Sequence, residues 1–97
     1  MAKKIKWSER ARKERFEILK YWSNRNKSKI YSSKLNQLFL ENVELLTQTP
    51  DIGIPTHITD VRIKIVRDYL VYYKNGHSFI EIITVWDPRR DPNKFKL

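Results

Sequence analysis

The apolar residues of this chain change their period once, near Val61, and that change dictates the architecture. Upstream the spacing is helical. Tyr31, Leu35, Leu38, Phe39, Leu45 and Leu46 share one face, while Lys34, Gln37, Glu41 and Glu44 turn toward the other. Downstream the period is two: Val61, Ile63 and Ile65 alternate with Arg62, Lys64 and Val66. A helix keeps a stripe together only at a period near 3.6 and a strand only at a period of two. The chain must therefore place helices first and a sheet after them. Three strands are predicted, Val61–Val66, Tyr69–Lys74 and Phe79–Trp86. Arg67-Asp68 connects the first two. Asn75-Gly76 connects the second and third as a hairpin turn whose residues can both take positive φ. The last strand is nearly all apolar, which places it centrally.

Ahead of this meander, Lys3 to Trp7 alternates around Ile5 and Trp7 and reads as an edge strand. Ser8 can cap a free backbone N–H, and Glu9 then sits at the positive end of a helix dipole. The helix is expected from about Glu9 to Asn24, with Ala11, Ile18, Leu19 and Trp22 on one face. Ser28 is the expected cap of a second helix ending near Thr47, because Pro50 biases Thr49 out of the helical region. Pro50 to Pro55 is a loop by its Pro and Gly content.

The expectation is one α+β domain over 1–97: an N-terminal edge strand and a two-helix hairpin packed on one face of an antiparallel β-meander sheet. The Tyr31 and Leu38 faces are expected to meet Ile65, Val71, Ile80 and Ile82, or their neighbours of opposite pleat. Arg62 and Lys64, two apart on a strand, would then be exposed on the face away from the helices.

Charge sets the class of partner. Residues 1–34 hold 12 Lys and Arg against 3 acids, residues 35–61 hold 4 acids and no Lys or Arg, and residues 62–97 hold 8 Lys and Arg against 4 acids. The net charge is +9, with two basic ends and an acidic middle, which favours an anionic partner, either nucleic acid or an acidic protein segment. The absence of cysteine excludes disulfides, thiolate metal sites and cysteine catalysis. His57 and His77 lack ligand spacing, so no metal is expected, and so small a domain leaves little room for a deep cofactor pocket. No apolar run approaches the roughly 18 residues of a membrane span. The basic start, MAKKIKWSER, has no apolar segment behind it. A cytoplasmic protein with no membrane association is expected.

The residues that could carry function are mostly cations. Arg89 and Arg90 follow a buried strand between Pro88 and Pro92, so their backbone is held while their side chains are expected to stay free. Guanidinium suits phosphate or carboxylate because it can bind either through two parallel hydrogen bonds. Arg62 and Lys64 could join them in a basic concavity, or could be the polar half of an ordinary amphipathic strand. Tyr69, Tyr72, Tyr73 and Trp86 interleave with these cations and could stack on unpaired bases, though core packing accounts for Tyr72 and Trp86 more readily. His57, in a loop near Asp60, could be a general base or simply solvated.

Four segments in order, IKWSERA at 5–11, LLTQTPDIG at 45–53, VRIKIVRDYLVYY at 61–73 and IEIITVWDPRRDP at 80–92, give a pattern that resembles the RelE/ParE superfamily of toxins from bacterial type II toxin–antitoxin pairs. The resemblance implies growth arrest as the output and a cognate antitoxin that wraps the toxin in a hetero-oligomer. In the RelE-like branch the target is the ribosome with its mRNA, which is cut. In the ParE-like branch it is DNA gyrase. Arg89 matches the arginine that follows the family's final strand, and Arg62 and Lys64 match basic positions on the first strand of the meander. The arginine that many RelE-like nucleases carry in a Tyr-Arg-hydrophobic-hydrophobic-Tyr strand falls here on Leu70, and a C-terminal tyrosine falls on Phe95. Both departures favour gyrase inhibition. The alternatives are mRNA cleavage, with His57, Lys64 and Tyr69 standing in for the nuclease set, and a non-toxic nucleic-acid-binding module. The expected target-binding residues are Arg62, Lys64, Arg67, Arg89, Arg90 and Lys94.

Overall fold

The computed structural model describes residues 3–97. Strand β1 (Lys4–Trp7) leads into helices α1 (Glu9–Asn26) and α2 (Ile30–Gln48). Strands β2 (Ile54–Pro55), β3 (Val61–Val66), β4 (Tyr69–Asn75) and β5 (Phe79–Trp86) follow, and a 3₁₀ turn spans Pro92–Lys94. The sheet order is β1-β5-β4-β3-β2. The predicted meander β3–β4–β5 is antiparallel throughout, and β1 is an edge strand that pairs in parallel with β5. β5 is therefore interior, with β4 at the middle of the sheet. β2 lies in the stretch read from sequence as loop; Ile54 and Pro55 pair with Ile63 and Arg62.

Local chemistry sets the helix ends. Ser8 Oγ accepts the Ala11 N–H at 2.9 Å and donates to the Ile83 carbonyl at 2.8 Å, so one hydroxyl both caps α1 and ties it to β5. α1 runs two residues past Asn24 and stops at Lys27, which is left-handed (φ 50°, ψ 37°). The Lys27 N–H bonds the Asn24 carbonyl and the Ser28 N–H bonds the Ser23 carbonyl, a Schellman closure made with lysine in place of the usual glycine. Ser28 sits one residue ahead of the α2 cap position, yet its Oγ still accepts the Ile30 N–H at 3.2 Å.

The helices cover one face of the sheet. Leu35, Phe39, Val43 and Leu46 form the buried stripe of α2, against Val71, Tyr73, Ile80, Ile82 and Val85 of the sheet. Leu45, expected in that stripe, lies at its edge and is exposed, and Val43 takes its place. Each such side chain contributes roughly 1.5–3 kcal/mol by leaving water.

The pleat of β3 is the reverse of the expectation. The Arg67-Asp68 turn pairs Val66 with Tyr69, Lys64 with Val71 and Arg62 with Tyr73. Directly opposed residues share a face. Arg62 and Lys64 are therefore on the helix side with buried Val71 and Tyr73, while Ile63 and Ile65 turn away and Ile65 is half exposed. Register decides this, because Tyr73 is anchored. Its hydroxyl donates to the Pro50 carbonyl at 2.7 Å and accepts the Gly53 N–H at 3.0 Å, fixing the loop after α2. Arg62 extends along this rim and donates to the Gly53 carbonyl at 2.9 Å.

The β4–β5 connection also departs from the expected turn. Asn75 is still paired, with Ile80, and no glycine has a positive φ. With Gly76 to Ser78 between the strands, the backbone need not take the left-handed turn of a two-residue hairpin. Gly76 is required by proximity instead: a Cβ there would lie 2.7 Å from the Phe79 carbonyl oxygen.

Candidate functional site

The C-terminal end of β5 gathers the predicted cations. Leu70 pairs with Trp86, so the start of β4, the Arg67-Asp68 turn and the residues after Trp86 lie at the same end of the sheet. A cleft of about 670 Å³ opens there, between Lys13, Glu14, Glu17, Ile18 and Tyr21 of α1 and Tyr69, Val85, Asp87, Arg89 and Arg90 of the sheet end.

One wall of this cleft is riveted. The register shift between Tyr72 and Tyr73 leaves Ile83 unpaired on β5 as a bulge. Beyond it, one carboxylate oxygen of Glu14 accepts from Thr84 Oγ1 at 2.6 Å and from the Val85 N–H at 3.0 Å. The side chain of α1 thereby satisfies a strand group that β1, ending at Trp7, does not reach.

Arg89 is held rather than free. Its Nε and a terminal nitrogen donate to the two oxygens of Asp87 at 2.9 and 3.0 Å, a two-bond fork. Another contact runs from its terminal nitrogen to the Tyr69 hydroxyl at 3.4 Å, with the guanidinium 5.7 Å from the Tyr69 ring centre. The Asp87 hydrogen bond raises the Arg89 pKa above its ordinary value, and the same bond holds the Asp87 carboxyl below the usual carboxylate range. Arg90 lies over the Trp86 ring at 5.3 Å. The fixed side chain contradicts the expectation of two mobile arginines. Asp87, two residues upstream of Arg89, was the available sequence signal for it.

Tyr69 is the hub. It is buried in the core, tilted against Phe39, and its hydroxyl accepts the Trp22 indole N–H at 2.8 Å. It stands between the helical hairpin and Arg89. Trp22, 47 residues away in sequence, had no pattern that would have marked it as part of the site.

The other predicted residues are dispersed. Arg67 is at the turn beside this end, exposed, with φ 57°. Lys94 is exposed on the 3₁₀ turn. Arg62 is engaged with the 51–53 loop, and Lys64 is half-buried on the helix side. His57 is exposed ahead of Val61, at the end of β3 away from Tyr69, roughly 17 Å along the strand. His57 and Tyr69 are thus not brought together. Phe95 packs between Tyr72 and Trp86 on the helix-free face, with ring centres 5.0 and 4.8 Å away. Among the described residues no group of three or more His, Asp or Glu could hold a metal, and no helix is long and apolar enough to cross a membrane.

A two-helix hairpin on a five-stranded mixed sheet, with arginines after the last long strand, is the α+β arrangement that the resemblance to RelE/ParE toxins implies. The family model described as "ParE toxin of type II toxin-antitoxin system, parDE" matches residues 5–92, and the chain belongs to that family. It is the toxin of a type II pair; toxins of this family typically inhibit DNA gyrase, and a cognate ParD antitoxin is implied. Among solved structures, a chain of the "Chromosomal ParDE TA system from P. aeruginosa" is similar, with a TM-score of 0.74 at 18% identity. The match covers 87% of this chain and 94% of that one, and the likeness is one of fold. No curated protein matches the chain significantly.

Proposed function

We propose that this toxin arrests growth by inhibiting DNA gyrase and grips its target with the arginine end of the sheet. One observation carries the choice over mRNA cleavage. The two positions where the resemblance implies nuclease groups hold Leu70, across from Trp86, and Phe95, stacked against Tyr72 and Trp86. Neither side chain can donate, accept or carry a charge. Arg89 presents a guanidinium held in place by Asp87, with Arg90 and Arg67 exposed at the same end of the sheet and Lys94 exposed on the 3₁₀ turn. Such a set binds and blocks rather than transferring protons.

The same reading places the toxin in the cytoplasm, held inactive in a hetero-oligomer with its antitoxin. An acidic, partly apolar antitoxin segment that folds on binding suits a basic domain with an open cleft at one end. The test is induced expression, followed by gyrase supercoiling and mRNA cleavage on translating ribosomes measured separately with the purified toxin. Loss of supercoiling with intact mRNA supports the reading. Cut mRNA with normal supercoiling overturns it.

A further inference from the structure

We propose that the tip of the helical hairpin is a second binding surface, for the phosphate backbone of duplex DNA. From Ile18 to Leu40 the sequence has no acidic residue and five cations: Lys20, Arg25, Lys27, Lys29 and Lys34. All five are exposed. They occupy the last turns of α1, its closing residue, and the cap and first turns of α2. At 1.5 Å per residue, they lie within roughly 10 Å of the tip along the helix axes. None has a carboxylate within 4.0 Å among the described residues, unlike Arg10, Lys13, Arg62 and Arg89.

Two of the five are positioned. Arg25 donates to the Tyr21 hydroxyl at 3.3 Å, with its guanidinium 5.9 Å from the Trp22 ring centre. Lys27 occupies a left-handed backbone position that a side chain takes at a cost and that glycine or asparagine fills freely. A lysine at this position puts charge where the fold alone asks for none.

The shape decides between anionic partners. An acidic peptide that folds on binding needs an apolar groove. The clefts at the sheet end and beside Glu41 and Glu44 include none of these five cations in their walls. Cations spread over a protruding tip suit a rigid polyanion, and duplex DNA offers one charge per roughly 1.7 Å of axis. The surface borders the arginine end of the sheet through Arg25, which bonds Tyr21 of the cleft wall, while the four lysines lie outside that cleft; the inference does not depend on the toxin's target.

The test is fluorescence anisotropy of a labelled random-sequence duplex with the full-length toxin over a salt series. Five phosphate contacts give a slope of log affinity against log salt near about −4.5. The variant K20Q/K27N/K29Q/K34Q should lower the magnitude of the slope by about 3.6 and weaken binding at low salt at least roughly tenfold. A control of equal net charge, K4Q/R12Q/K74Q/K96Q, should keep most of the slope. Circular dichroism checks that both variants are folded. Equal losses in the two variants would reduce the effect to net charge and overturn the proposal. So would a polyglutamate peptide binding the tip while the duplex does not, which would make it a surface for acidic protein.

Discussion

The Tyr69 hydroxyl accepts the Trp22 indole N–H at 2.8 Å, and this bond joins the helical hairpin to the strand that carries the Arg89 contact. Helix packing and site geometry therefore share one oxygen. Removing it as Tyr69→Phe keeps the buried ring and leaves the indole donor without its partner. The expected cost is about 1–2 kcal/mol, read as a lower urea midpoint at unchanged slope. Toxicity should fall as well, because Arg89 loses its lateral contact.

Asp87 and Arg89 make a surface pair whose value is in orientation. Asp87→Asn keeps the size and removes the charge that holds the fork. Its melting temperature should stay close to that of the parent, since exposed pairs add little stability. Toxicity on induction should drop several-fold with Arg89 still present. Arg89→Lys should lose it too, because an ammonium cannot reproduce a planar two-bond contact. A folded Arg89→Ala/Arg90→Ala variant that remains fully toxic would remove both arginines from the target interface.

The same pair has a pH signature. The Asp87 pKa is lowered from 3.8 in the folded chain, chiefly by the Arg89 hydrogen bond, so the charged form is favoured on folding. Its contribution is fully present above the unfolded value. It is lost as pH falls through the folded one. Stability measured in urea from about pH 5 downward should therefore fall less steeply in Asp87→Asn than in the parent. Parallel curves would show that the fork contributes nothing to folding.

Gly53 has no room for a side chain. A Cβ would sit 2.5 Å from the Tyr73 hydroxyl and 2.9 Å from the Ile63 carbonyl oxygen. Gly53→Ala should destabilise by about 1–3 kcal/mol, through crowding and disruption of the Tyr73 bridge. Tyr73→Phe should cost a similar amount by leaving the Gly53 N–H and Pro50 carbonyl without that bridge. Both are read from denaturation midpoints. Burial raises the Tyr73 pKa, so stability should also decline above about pH 10, where the unfolded phenol ionises first.

The meander was legible because β-branched and aromatic runs with turn residues between them leave few other options. Val61–Val66 falls where the period-two pattern put it, and Phe79–Trp86 where its nearly unbroken apolar run did. The pleat of β3 was not legible. Ile63 and Ile65 read as core, and only the register set across the Arg67-Asp68 turn turns them outward. β2 escaped because two residues, one of them proline, carry no period. At the site, Arg89 and Arg90 stood out by sequence. Their neighbours Trp22 and Glu14 did not, since the Trp22–Tyr69 and Glu14–Val85 bonds cross 47 and 71 residues and leave no local pattern.

The parallel pairing of β1 with β5 ties the timing of folding to the last long strand. Lys4 to Trp7 have their sheet partner only in Phe79 to Ile82, so a growing chain carries an unpaired first strand through the synthesis of both helices and the first hairpin. Closing so long a loop is slow and comes late. Until β5 is made, Ser8 lacks the Ile83 carbonyl and Glu14 lacks Thr84 and Val85, so α1 has nothing to dock on at that edge. The arginines follow directly after that strand. A ribosome must therefore complete β5 before β1 can pair, before α1 can be tied to that edge and before the arginines can be set at the end of the sheet.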